Sequence, residues 1–172
     1  MVRPWQVLDR VDTDEGPLEL RRRGDSDYMI TIDGRSLMIS HGNRSEIELA
    51  EMACKAHKAP RKVLVGGLGM GFTLRAALDS VGPDAEVTVA ELTPTVVDWC
   101  KGEMAHITGD ACGDPRTRIV VGDVAKVIAD SPGTWDVIIL DLYEGPHDAT
   151  QAANDPFYGP KALEHTAAAL RK

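Results

Sequence analysis

From Leu18 to Ser40 the chain reads LELRRRGDSDYMITIDGRSLMIS, with apolar and polar positions alternating around Gly24 and the pair Asp33-Gly34. A period of two interrupted by turn residues is the pattern of short antiparallel strands, so a β-rich N-terminal piece is predicted. After Ser45 the period lengthens. In EIELAEMACKAHK, the residues Ile47, Leu49, Ala50, Ala53 and Cys54 make a helical stripe, with Asn43 or Ser45 placed to cap it and Pro60 closing the segment.

From Lys62 the pattern becomes strand, helix, strand, helix: KVLVGG, FTLRAALDS, EVTVAEL, TPTVVDWCKGEMA, RIVVGD, VAKVIAD and WDVIILDL. Continuous Val- and Ile-rich strands between helices predict an α/β fold with a doubly wound, mainly parallel, Rossmann-like sheet covered on both faces. The segment Asp155 to Lys172, DPFYGPKALEHTAAALRK, reads as one further helix. Residues 1–58 are thus expected to form the hairpin piece plus a helix, and residues 59–172 a nucleoside-binding domain.

The 172 residues suffice for one ordinary core, and 43% hydrophobic with 27% charged residues is globular composition. A net charge of −8 argues against nucleic acid as partner, because phosphate binding normally requires a basic face. Cys54, Cys100 and Cys112 form no C-x-x-C pair and read as structural thiols in a reducing compartment. No apolar run has the length of a membrane span or a signal core, so a cytoplasmic location without membrane association is expected.

Candidate chemistry begins at Gly67, Gly69 and Gly71, where the first apolar strand turns into a helix. A turn without Cβ atoms lets a ligand approach the backbone, and the helix start favours electron-rich groups. Glu91 ends the next strand, twenty residues past Gly71, where a carboxylate can accept both ribose hydroxyls. Asp123 follows the third strand, placed either to grip an adenine amino group or to cap the helix after it. Asp141 ends the fourth strand and Glu144 follows in the loop LDLYEGPHDATQAANDP, so both acids are expected to face the same crevice. His147 in that loop reads as a solvated side chain, and no His, Cys and Asp grouping has metal-ligand spacing.

With VLVGGLGMG, VTVAELTPTVVDWCK, RIVVGDV, TWDVIILDLYEGP and PFYGPKALE in place, the chain resembles the spermidine synthase family, aminopropyltransferases on the class I methyltransferase fold. The resemblance implies S-adenosylmethionine or its decarboxylated form as donor. It places Gly67, Gly69 and Gly71 along the donor, Glu91 on the ribose and Asp123 on the adenine. Asp141 and Glu144 match the family's two acids, the second being the base that deprotonates the attacking amine. A small-molecule amine acceptor, a homodimer and no metal follow from the same resemblance. Two features depart from the family. Met70 stands where its glycine motif carries an acid that holds the propylammonium, and the three strands that usually close the methyltransferase sheet are absent, so an open edge is expected beside the strand ending at Asp141. The open alternatives are methyl transfer and a non-catalytic nucleoside-binding protein.

Overall fold

A computed structural model describes residues 3–142 and 155–172. Strands β1 (Gln6–Thr13), β2 (Gly16–Arg23), β3 (Asp27–Ile32) and β4 (Arg35–Ile39) form an antiparallel sheet in that order. The alternation announced β2 to β4 but not β1, and the ladder shows why. The β1–β2 register slips between Val7 and Asp9, so the side chains that pack on the core, Leu8 and Val11, lie three positions apart rather than two or four. Asp9 of this strand accepts the Trp99 indole N–H at 2.8 Å, which ties the small sheet to the rest of the chain.

Helix α1 (Arg44–Lys55) follows, buries Ala50 and Cys54, and starts after Asn43 without a side-chain cap. Then come β5 (Lys62–Gly66), α2 (Phe72–Ser80), β6 (Glu86–Glu91), α3 (Pro94–Lys101), β7 (Thr117–Val121), α4 (Val124–Ala129), β8 (Val137–Leu140), α5 (Asp155–Tyr158) and α6 (Pro160–Ala169). The strands β5 to β8 are parallel in the order β7-β6-β5-β8. Alternate side chains point to opposite faces. Val63, Val65, Val87 and Val89 pack with Leu20, Tyr28 and Leu74, whereas Leu64 and Ala90 pack with Val124, Ile128 and Trp135. Each such fully buried Val or Leu contributes about 1.5–3 kcal/mol, whereas the edge strand β7 leaves Arg118, Val120 and Val121 exposed.

The C-terminal stretch is two helices, not one. Pro160 has no N–H to donate to the preceding turn, and Gly159 before it is extended (φ −71°, ψ 164°), so α5 stops and α6 restarts with Pro160 in its first turn. Strand β8 pairs with β5 along one side. On its other side the described residues provide a single parallel bridge, Trp135 with Leu170, just before the strand begins.

Candidate functional site

The strand order reverses at β5, whose neighbours are β6 and β8. Side chains at the carboxyl ends of these three strands therefore meet in one crevice, the usual ligand position in an open α/β sheet. Gly67 follows β5, Glu91 ends β6 and Asp141 follows β8. The structure thus brings together residues separated by as many as 74 positions.

The glycines are there for backbone reasons. Gly67, Gly69 and Gly71 have φ of 88°, 52° and 85°, the left-handed region that a side chain disfavours. At Gly67 a Cβ would also collide with the Asp141 carbonyl oxygen, because the two strand ends run side by side. Gly67→Ala is expected to destabilise the protein by about 2 kcal/mol or more, strain and clash acting together. Chemical denaturation measures this, and an unchanged midpoint would mean the turn relaxes freely.

Glu91 is 8% exposed, with both carboxylate oxygens engaged: Oε2 accepts the Leu68 N–H at 2.9 Å and Oε1 the Thr93 N–H at 2.8 Å. It clamps the glycine turn to the end of β6. Each oxygen keeps a further lone pair, so the clamp does not exhaust the acceptor capacity of the carboxylate. Asp123 is the N-cap of α4, its Oδ1 accepting the Ala125 N–H at 2.8 Å, and its side chain is exposed. The capping reading of this residue is therefore realised.

Asp141 sits half-buried and accepts the Thr73 hydroxyl. Burial pushes its carboxyl above the ordinary carboxylate range, the Thr73 bond opposes that, and the Glu46 carboxylate adds to it. The phenol of Tyr158 is in turn pushed up by burial and by the Asp141 charge. Thr73, Glu46 and Tyr158 are members of this site that the sequence reading missed. A threonine in the first turn of α2 offered a signal; Glu46 and Tyr158 lie on distant segments and offered none. Glu144 and His147 lie outside the described residues.

Met70, the residue in place of an acid, is fully buried. Its N–H donates to the Met38 thioether at 3.2 Å. The Cys100 thiol donates to the Gly69 carbonyl, also at 3.2 Å. The neighbouring Cys112 and burial hold the Cys100 thiol well above the usual range, while Cys100 and nearby Lys101 pull Cys112 below it. Cys54 is a buried packing thiol.

A cavity of about 670 Å³ lies beside this site, between α4 and α6; Ala125, Ile128, Leu140, Phe157 and Ala162 line it together with Lys161, His165 and Thr166, and none of the candidate residues does. No carboxylate lines it to accept ribose hydroxyls or pair an ammonium group, whereas the strand ends carry Glu91 and Asp141, so they are the better site. Among the described residues no group of three or more His, Cys, Asp or Glu is arranged for a metal, and no helix is long and apolar enough to cross a membrane.

Comparison with known proteins bears on this geometry. The profile of the spermine/spermidine synthase domain matches residues 44–171. A polyamine aminopropyltransferase of Korarchaeum cryptofilum is 33% identical over 99 residues, 58% of this chain and 30% of the relative. One from Bacillus mycoides is 30% identical over 166 residues, 93% of this chain and 55% of the relative. The spermidine synthase structure from Thermotoga maritima superposes with a TM-score of 0.77 at 22% identity, covering 96% of this chain and 54% of that one. A spermidine synthase in complex with the transition-state analogue AdoDATO gives 0.76, also at 22% identity, covering 96% and 53%. The chain spans between about a third and about half of the length of these relatives. At such identity the superpositions carry the fold.

Proposed function

The chain belongs to the spermine/spermidine synthase family, and from that premise we propose that it is a transferase moving a group from an S-adenosylmethionine-type donor to a small amine in polyamine biosynthesis. The observation that carries the reading is the convergence of a clamped glycine turn, Glu91 and a half-buried Asp141 at the ends of three adjacent strands. Relatives named polyamine aminopropyltransferase support the reaction class.

In this reading Glu91 takes the ribose hydroxyls with its remaining lone pairs, the glycine turn runs along the donor, and Asp123 reaches the adenine from the N-cap of α4. The amine nitrogen attacks the carbon beside the sulfonium. The new C–N bond forms as the C–S bond breaks, the electron pair stays on sulfur, and the amine proton goes to a carboxylate. Asp141 suits that last role, because a carboxyl pushed upward holds a proton better than an ordinary aspartate does. Glu144 is the second acid of the reading. Bringing donor and amine together in line supplies the remaining acceleration. The acceptor is a small amine, no nucleic acid or metal takes part, and the protein acts in the cytoplasm as a homodimer.

Incubating the chain with a diamine and each donor tests the reading. Methylthioadenosine is expected from the decarboxylated donor. S-adenosylhomocysteine from the intact donor would favour methyl transfer instead. Neither product, with methylthioadenosine still bound, would leave a nucleoside-binding protein.

A further inference from the structure

Strand β4 carries a bulge. Ile30 pairs with Met38 and Thr31 with Ser36, so Leu37 is an extra residue in the ladder. As a result two successive side chains, Leu37 and Met38, both pack against the core, which an unbroken strand cannot do. The bulge aims Met38 at the glycine turn. Its Sδ accepts the Met70 N–H, and a Cβ on Gly69 would meet both Sδ and Cε at 3.0 Å, so the thioether lies directly on the turn.

A thioether is a weak acceptor, and a backbone N–H at a ligand turn can be satisfied far better by a carboxylate oxygen. Met38 is half-buried on an unbranched, flexible side chain, so it can give way. Resting on the reading of this crevice as a donor site, we propose that Met38 is a specificity-determining residue that reads the donor's tail. A tail with a carboxylate displaces the sulfur and takes the Met70 N–H. A tail that ends in an ammonium alone has no acceptor to offer there, and Met38 stays in place. The fully buried Met70 side chain supplies no anion at this point of the turn, so Met38 is the group that a carboxylate tail must displace and an ammonium tail leaves in place.

The test titrates methylthioadenosine, S-adenosylmethionine and decarboxylated S-adenosylmethionine into the unmodified protein and into Met38→Leu, which keeps the volume and removes the acceptor. S-adenosylmethionine is expected to bind roughly three- to tenfold more tightly to Met38→Leu, the effect of one competing neutral hydrogen bond removed, while the other two ligands change by less than about twofold. In the unmodified protein the Met70 amide resonance should move much further with S-adenosylmethionine than with the other two ligands, which lie along the turn but bring no acceptor to that N–H. Equal changes for all ligands, or an unmoved Met70 amide with S-adenosylmethionine bound, would overturn the proposal. The amide measurement decides even if Met38→Leu fails to fold. If methylthioadenosine itself does not bind, the donor-site reading fails, and this inference with it.

Discussion

Glu91→Ala is expected to weaken methylthioadenosine binding by about 1.5 to 3 kcal/mol, the range for losing a charged hydrogen-bond partner. It should also destabilise the free protein by roughly 2 to 4 kcal/mol, because the buried carboxylate accepts the Leu68 and Thr93 N–H groups and alanine leaves both without a partner. Glu91→Gln keeps one carbonyl acceptor, so it should recover part of the stability but little of the affinity. The two effects separate with a methylthioadenosine analogue lacking both ribose hydroxyls. On the unmodified protein the analogue should bind much more weakly than methylthioadenosine, and on Glu91→Ala the two ligands should bind alike. A calorimetric titration in which removing the hydroxyls costs the same on both proteins would confine Glu91 to its role as a clamp.

Asp141→Asn is expected to lower turnover by roughly 100- to 10,000-fold, the usual contribution of a positioned general base. The same substitution should raise the melting temperature at neutral pH. The Asp141 carboxyl titrates above its ordinary value in the folded protein, so the folded state binds the proton more tightly than the unfolded one. Stability therefore falls as pH rises through the folded value, and an uncharged amide escapes that loss while still accepting the Thr73 hydroxyl. Well below pH 4, about the ordinary aspartate value, both states of the unmodified protein are protonated and the advantage of the asparagine should vanish. Melting curves across this range check the prediction. A variant less stable than the parent at neutral pH would show that the charged carboxylate is a structural group, and turnover within about tenfold of the parent would remove its role as a base.

Much of this site was legible from local pattern, and the reasons are specific. Strand ends are marked by the switch from apolar runs to Gly, Glu or Asp, which puts Gly67, Glu91 and Asp141 at the same edge of the sheet from the sequence alone. The spacing of Asp123 from the following apolar run left adenine contact and helix capping open together, and the structure realises the cap. Strand β1 is hidden because a register slip removes the period of two, and the last segment divides because Gly159-Pro160 breaks the helix that its apolar pattern continues. The first lies away from the crevice, whereas the second sets the end of α5, where Tyr158 meets Asp141.

By itself the sequence determined the parallel sheet, the glycine turn and the acids at its edge, since hydrophobic period and backbone permissiveness act over a few residues and leave their trace in the chain. Only the tertiary structure decided what those groups face. Glu91 closes on Leu68, Thr73 and Glu46 converge on Asp141, and Met38 reaches Met70 from another sheet. Such contacts depend on strand order and on a bulge that re-aims one side chain, and the segments they join are up to 95 residues apart, beyond the range of any local pattern.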